Sequence, residues 1–242
     1  MTVLLLSPVG LDRHCWESVD LCGRDVVTHD FPGFGGRARS QGALTAAAWA
    51  DDIADAVGGD LDVVGVSLGG MVAQHFALRY PERVHSLFLA CTGVRGRPGA
   101  AETNINEAEK LGMPGLVGPT LSRWFTASTL GLRPVHPGVS YARRTLLALD
   151  SSAYADGWRV IATHDLTGKL GTLRCPVTCA AAEEDVAAPR TRVEELARSI
   201  AGARFTVIDG PHMAHLEQPA AFSRALGDHL DWAHGRDASA AV

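Results

Sequence analysis

Five consecutive residues set the fold: Gly65-Val66-Ser67-Leu68-Gly69. They follow an apolar run at residues 61–64 and precede a helix-like segment at residues 71–78. A strand that turns sharply into a helix through a serine holds that serine in a strained backbone conformation and exposes its Oγ. The glycines let strand and helix pack closely, and the N–H of Leu68 at the helix N-terminus can face a developing oxyanion. This context predicts that Ser67 is a nucleophile.

The composition is that of an ordinary globular protein. The 242 residues are 46% hydrophobic and 20% charged, which is enough to bury a sizeable core. The net charge of −5 contains no basic block, so nothing favours nucleic acid or an anionic membrane surface as a partner. The five cysteines show no zinc-type spacing, so we expect no metal site. The start lacks a basic signal region and no apolar run is long enough to span a membrane, so we expect a cytoplasmic protein.

Strand-like and helix-like segments alternate at both ends of the chain. Short apolar runs predict strands at residues 3–7, 25–30, 61–66, 84–91, 177–182 and 203–208. The segments that follow them predict helices at residues 45–57, 68–80, 190–200 and 220–234, and Thr45 is a candidate N-cap. This alternation is typical of the α/β class, with a parallel sheet between two layers of helices.

The middle of the chain breaks this pattern. Residues 93–167 contain helix-like pieces at 117–126, 139–149 and 154–163 and no convincing strand, which predicts a helical insertion between two strands. The expected organisation is therefore a core formed by residues 1–92 and 168–234, interrupted by the insertion. Residues 235–242 are small and polar, and we expect them to form a disordered tail.

A serine nucleophile needs a base within hydrogen-bond reach. In open α/β sheets the reactive groups gather at the carboxyl ends of the strands. His212 lies in a Gly-Pro turn just after the predicted strand at 203–208, and His215 follows three residues later. We expect His212 to be the base and His215 to lie behind it or at the surface.

The base in turn needs a carboxylate that fixes its tautomer. Three carboxylates follow the predicted strand at 177–182, namely Glu183, Glu184 and Asp185. The residues alone do not choose among them. Each choice places serine, acid and histidine in the chain order that is typical of a serine carried on such a strand-to-helix turn.

The loop after the first predicted strand offers a second oxyanion donor. Pro8 has no N–H, Val9 has one, and Gly10 lets that backbone approach closely. The loop is expected at the same edge of the sheet as Ser67, which favours Val9 as the partner of Leu68 in an oxyanion hole.

Several stretches together resemble an α/β-hydrolase of the 3-oxoadipate enol-lactonase kind. The loop at 7–12 with Trp16, the turn at 30–35, the serine turn at 65–70 and the segments at 184–189 and 212–222 are similar to motifs of that family. The segment at 121–126 resembles an enol-lactonase cap segment. The resemblance runs from residue 3 to residue 230. Only the cap segment points to the lactonase branch, because the other motifs belong to the whole superfamily.

The resemblance implies a role for each site residue. Ser67 would be the nucleophile, His212 the base and acid, and Asp185 the orienting carboxylate. Val9 and Leu68 would supply the oxyanion amides. Residues 93–167 would form a cap that closes over the substrate pocket.

The cap carries the candidate substrate contacts. Trp124, Phe125 and Trp158 lie on its expected apolar side, with Trp124 a candidate wall of the pocket. An anionic substrate would need a basic group in the cap, and four arginines are available there: Arg123, Arg143, Arg144 and Arg159. At helical spacing, such aromatic residues also fit a purely structural packing role.

Two departures from the family pattern affect the expectations. Ser7-Pro8 stands where the family has His-Gly, which changes the polarity of the pocket mouth. The chain begins at what is normally the third strand, so we expect no N-terminal antiparallel hairpin and a sheet of about six mostly parallel strands.

These observations predict a cofactor-free serine hydrolase that cleaves a small carboxylic ester or lactone through an acyl-serine intermediate. Two alternatives stay open at this point. The same three residues on the same fold also hydrolyse C–C bonds, and a non-catalytic homologue could keep the pocket only to bind a ligand.

Overall fold

Six parallel strands form one sheet, as the alternation of elements predicts. The computed structural model describes residues 1–240, of which 236–240 are described as backbone only. The strands are β1 (Thr2–Leu6), β2 (Val26–His29), β3 (Leu61–Val66), β4 (Val84–Ala90), β5 (Val177–Ala182) and β6 (Arg204–Ile208). Their order in the sheet is β2-β1-β3-β4-β5-β6, and every neighbouring pair is parallel. Each predicted strand is confirmed to within one residue at either end.

The helices of the core follow the strands. They are α1 (Ala46–Ala56), α2 (Leu68–Arg79), α7 (Arg190–Arg198), α8 (Ala214–Glu217) and α9 (Pro219–Ala240). Thr45 caps α1 as expected, since its side chain accepts a hydrogen bond from the Ala48 N–H at 3.1 Å. The short helix α8 was not predicted. Where we expected a disordered tail from residue 235, α9 continues to Ala240, and residues 241 and 242 lie outside the described residues.

A helical insertion separates β4 from β5, as predicted. It contains α3 (Pro98–Trp124), α4 (Ala127–Gly131), α5 (Pro137–Ala148) and α6 (Ser151–Thr163). Gly112, with φ of 61°, interrupts α3 and divides it into two helical parts. The first part was not predicted because its sequence is polar and lacks a clear apolar period.

The central strands are buried along their whole length. Every residue of β3 and of β5 is buried, as expected for parallel strands with both faces covered by helices. Among the helices within residues 1–240, none is both long enough and apolar enough to cross a membrane. The carboxyl ends of the strands, beneath the insertion, are where the loops with the candidate site residues meet.

Candidate active site

Ser67 occupies the sharp turn between β3 and α2. Its backbone has φ of 56° and ψ of −116°, which is a strained conformation for a residue with a side chain. Two contacts hold it there. The Ser67 N–H donates to the Ala90 carbonyl at 2.9 Å, and the Thr92 hydroxyl donates to the Ser67 carbonyl at 2.8 Å. The neighbouring strand β4 therefore fixes the position from which the serine Oγ projects.

The glycines around Ser67 are required by close packing. A Cβ atom on Gly65 would overlap the backbone of Gly69, and one on Gly69 would overlap the carbonyl of Leu6 in β1. A Cβ on Gly70 would press into the Thr92 side chain at 2.7 Å. The sequence interpretation, in which small residues let the strand and the helix approach, is therefore confirmed at the level of packing.

The structure brings Ser67, His212 and Asp185 together. Nε2 of His212 lies 3.1 Å from the Ser67 Oγ, and Nδ1 of His212 lies 2.7 Å from Oδ2 of Asp185. Glu183 and Glu184, the two other carboxylates that the sequence left open, have exposed side chains. Asp185 alone of the three points inward, because the chain turns into the core after β5.

Asp185 is held as a carboxylate. Its Oδ1 accepts the N–H groups of Ala187 at 2.8 Å and Ala188 at 2.7 Å. Burial by itself would raise the pKa of Asp185, but the charge of His212 and these hydrogen bonds keep that pKa below its usual value. An ionised Asp185 accepts the Nδ1–H of His212, and the Nε2 of that ring is then free to accept the Ser67 hydroxyl proton.

Two backbone amides lie beside the serine. Leu68 is the first residue of α2, where a helix leaves its N–H without an intrahelical acceptor. Val9 lines the same cavity as Ser67, and among the described residues its N–H has no hydrogen-bond acceptor. Both N–H groups are therefore available to an oxygen atom bound next to Ser67.

A cavity of about 420 Å³ opens over these residues and is walled by the insertion. Ser67, His212, Trp124 and Trp158 all line it. Phe125 is not among the residues that line this cavity. Phe125 follows the last residue of α3 in an extended conformation, and its side chain is buried in the core instead.

The arginines of the cavity differ from those that the sequence suggested. Of the four candidates in the insertion, only Arg123 lines it; the others, Arg143, Arg144 and Arg159, do not. Two further arginines do, namely Arg97 before α3 and Arg192 in α7. The sequence carries no signal for either residue, because Arg97 lies in the loop before α3 and Arg192 lies in an ordinary charged helix.

His215 lies behind His212 rather than at the surface. Its ring is completely buried, 5.1 Å from the Trp16 ring and 5.7 Å from the Phe222 ring. Burial, together with the nearby His212, lowers the pKa of His215 to about 3. Within the described part of the chain neither ring nitrogen has a hydrogen-bond partner, so the ring acts as neutral packing under the site.

A second polar cluster lies at the opposite, amino ends of the strands. We call it the amino-end cluster, and it consists of Asp62, His85, Ser86, His229 and His234. Oδ1 of Asp62 accepts from the Ser86 hydroxyl at 2.6 Å and lies 2.8 Å from His85 Nδ1, while Oδ2 lies 2.8 Å from His234 Nε2. Donor atoms of Asp62, His85 and His234 lie within 4.8 Å of one another, as do those of Cys91, Asp185 and His212 at the site. In both sets the carboxylate already accepts hydrogen bonds from imidazoles.

Comparison with known proteins identifies the family to which the chain is similar. A family model described as the alpha/beta hydrolase family matches residues 3–225. The chain is 24% identical over 163 residues to 3-oxoadipate enol-lactonase 2 from Acinetobacter baylyi, a match that covers 67% of this chain and 60% of that enzyme. It is 29% identical over 183 residues to the pimeloyl-[acyl-carrier protein] methyl ester esterase from Chromobacterium violaceum, which covers 70% of this chain and 69% of the esterase.

Solved structures agree with the family over nearly the whole chain. The enol-lactonase from Burkholderia xenovorans has a TM-score of 0.89 at 25% identity, with 95% of this chain and 91% of that chain covered. A thermophilic esterase from Thermogutta terrifontis has a TM-score of 0.87 at 28% identity, with 97% and 90% covered. The four relatives named here are thus lactone and ester hydrolases by name.

Proposed function

The chain belongs to the alpha/beta hydrolase family, and we propose that it is a serine hydrolase that cleaves a small carboxylic ester or lactone. One observation carries the proposal. The Ser67 Oγ projects from a strained turn into a cavity, 3.1 Å from a histidine that is itself 2.7 Å from a buried carboxylate. The lactonase and esterase relatives support the choice of bond.

The reaction begins with attack by Ser67. His212 Nε2 takes the hydroxyl proton as Oγ adds to the carbonyl carbon, and Asp185 stabilises the imidazolium that forms. The tetrahedral oxyanion then accepts the N–H groups of Val9 and Leu68. Each such donor typically lowers the barrier by about 3–4 kcal/mol.

The second half of the reaction releases the acyl group. His212 gives its proton to the departing alkoxide, which leaves an acyl-serine on Ser67. Water enters the cavity, His212 removes a proton from it, and the resulting hydroxide attacks the acyl carbon. The alkoxide of Ser67 takes back the proton from His212, and the enzyme is regenerated. The catalytic groups in these steps all belong to the chain, and the proposal includes no cofactor.

Hydrolysis of 4-nitrophenyl butyrate by the wild type and by Ser67→Ala tests the proposal. The wild type should release 4-nitrophenolate, and the variant should lose at least about 10⁴-fold in kcat because no other group can accept the acyl chain. Circular dichroism and thermal melting should show that the variant remains folded. Retention of the full rate by folded Ser67→Ala would refute the mechanism.

A further inference from the structure

The amino-end cluster places three metal-ligating side chains around one point. Asp62 lies in β3, His85 in β4 and His234 in α9, so each comes from a different element of the fold. One donor atom from each, a carboxylate oxygen or a ring nitrogen, lies within 4.8 Å of the other two. Imidazole nitrogens and carboxylate oxygens are ligands that Zn²⁺ accepts in proteins.

An irregularity in the strand pairing turns His85 towards Asp62. Leu61 of β3 pairs with Val84 of β4. The next residue of β3, Asp62, pairs with Ser86, so that His85 is an extra residue in β4 and forms a β-bulge. In a regular strand the side chains of His85 and Ser86 would point to opposite faces of the sheet. Here both reach Asp62, at 2.8 Å and 2.6 Å, which is how bulges commonly re-aim a side chain.

The distances between these donor atoms are close to those of a zinc site. Nδ1 of His85 lies 2.8 Å from Oδ1 of Asp62, and Nε2 of His234 lies 2.8 Å from Oδ2 of Asp62. With bonds of about 2.0–2.2 Å to nitrogen and oxygen, the donors around a tetrahedral Zn²⁺ lie about 3.3 Å apart. A separation of each pair by about half an ångström therefore admits the ion, and a water molecule completes its coordination.

The side chains behind Asp62 hold its carboxylate in place. The Ser86 hydroxyl donates to Oδ1 of Asp62, and His229 Nε2 lies 3.1 Å from that hydroxyl. Nδ1 of His229 lies 2.9 Å from the Thr178 hydroxyl, which fixes the ring in turn. Carboxylates that bind metal ions are themselves hydrogen-bonded in this way, and the partners orient them for the ion. Asp62 is thus oriented before any ion binds.

The charge of Asp62 and the exposure of His234 also suit a cation. The Asp62 side chain is 1% exposed. Among the described side chains, which end at residue 235, no lysine or arginine pairs with it; its partners His85 and His234 carry charge only when protonated. A divalent cation would supply the positive charge that a buried carboxylate requires. The His234 side chain is 36% exposed, so an ion can enter from solvent beside α9.

We propose that Asp62, His85 and His234 form a zinc site at the amino ends of the strands, separate from the reaction at Ser67. Each ring presents a lone pair to the ion, and the proton that it donates to Asp62 in the metal-free protein is displaced. The bound ion joins α9 to β3 and β4 and so fastens the last helix to the sheet. The cysteine spacing gives no sign of this site, because its ligands are histidines and an aspartate up to 172 positions apart.

Calorimetric titration with zinc chloride, after dialysis against EDTA and then against metal-free buffer, tests the site. The wild type should bind one Zn²⁺ ion per chain in the presence of excess Mg²⁺, which prefers oxygen ligands. His85→Gln and His234→Gln should each weaken zinc binding by at least about tenfold. Because His234 is partly exposed, its variant keeps the test valid if His85→Gln does not fold.

Two control variants separate this site from other histidines. His14→Gln removes a surface pair of the same chemistry, since His14 Nδ1 lies 2.6 Å from Glu17, and it should leave zinc binding unchanged. His212→Gln removes the histidine from the set formed with Cys91 and Asp185. Zinc binding should survive this change as well, because the proposed ligands lie at the other end of the sheet.

Thermal melting gives a second measurement. Zn²⁺ should raise the melting temperature of the wild type, because an ion that binds only the folded chain stabilises it, and should not raise that of His234→Gln. Absence of zinc binding by the wild type, or zinc binding that survives both His85→Gln and His234→Gln in folded protein, would overturn the proposal. Loss of binding in His212→Gln alone would also overturn it. None of these experiments measures turnover, so their outcome is independent of the proposed hydrolase function.

Discussion

Serine, histidine and aspartate meet at both ends of the same parallel sheet. At the carboxyl end, His212 lies within hydrogen-bond distance of Ser67 through one ring nitrogen and of Asp185 through the other. At the amino end, Asp62 accepts from the Ser86 hydroxyl at 2.6 Å, and His229 lies 3.1 Å from that hydroxyl. The residue types are therefore the same, and what distinguishes the two sets is the direction of the hydrogen bonds and the surroundings.

The hydrogen bonds run in opposite directions in the two sets. In the amino-end cluster the hydroxyl of Ser86 donates its hydrogen bond to Asp62, so towards His229 Nε2 it can only act as an acceptor. Nδ1 of His229 faces the Thr178 hydroxyl at 2.9 Å instead of a carboxylate. At the candidate active site the carboxylate orients the histidine, which can then accept the proton of Ser67. Only the second arrangement can activate a serine.

The backbone and the surroundings also differ. Ser86 belongs to the regular strand β4 and is completely buried, with no route for a substrate. Ser67 lies in a strained turn at the wall of the cavity, between the two available amides of Val9 and Leu68. A serine, a histidine and an aspartate in contact are thus not sufficient for a site; the turn, the amides and the cavity make the difference.

The largest expected effect is the difference in activity between variants of His212, at the candidate active site, and of His229, in the amino-end cluster. His212→Gln should lower kcat/KM for 4-nitrophenyl butyrate by about 10⁴-fold or more, because Ser67 loses its base. His229→Gln should leave kcat/KM within about threefold, because His229 lies at the opposite end of the sheet and bonds to none of the reacting groups. Steady-state kinetics of the two folded variants measure both effects. A comparable loss of activity in both variants would remove the distinction between the two clusters.

A smaller effect concerns the loss of stability at acid pH that the buried His229 of the amino-end cluster causes. Burial lowers the pKa of His229 to about 4, from its usual value of 6.5. Between these values the unfolded chain binds a proton that the folded protein does not. The free energy of unfolding therefore keeps its full value above pH 6.5 and decreases as pH falls towards 4. Each pH unit in this window removes about 1.4 kcal/mol from the free energy of unfolding.

His229→Gln should therefore flatten the acid loss of stability. Between pH 7 and pH 4.5 the free energy of unfolding should fall by about 2 kcal/mol less in the variant than in the wild type. Urea unfolding at several pH values measures this difference. His14→Gln is the control, because His14 is exposed and its substitution should leave the pH dependence of the wild type unchanged. Parallel stability curves for His229→Gln and the wild type would contradict the account of a buried neutral histidine.

Local signals were sufficient to predict the core of the protein. Apolar runs, the glycines around Ser67 and the Gly-Pro turn before His212 each impose a local conformation, and the parallel sheet then brings their strand ends together. The choice of Asp185 over Glu183 and Glu184 needed either the family resemblance or the structure. All three carboxylates follow the same strand, and only the path of the loop determines which one is buried.

The insertion was less predictable than the core. Trp124 and Phe125 are neighbours in the sequence, yet the end of α3 between them places one in the cavity wall and the other in the core. Arg97 and Arg192 are 95 positions apart in the sequence, and both reach the cavity only because α3 packs against α5 and α6 within the insertion. Tertiary contacts of this kind leave no periodic signal in a single sequence.

Covalent labelling tests the central claim most directly, that Ser67 and not Ser86 is the nucleophile. The wild type is treated with diisopropyl fluorophosphate, and peptide mass spectrometry locates the modified serine while residual hydrolysis of 4-nitrophenyl butyrate is followed. The account predicts modification of Ser67 in proportion to the loss of activity, with Ser86 unmodified. Inactivation with the label on Ser86, or with Ser67 unlabelled, would contradict it.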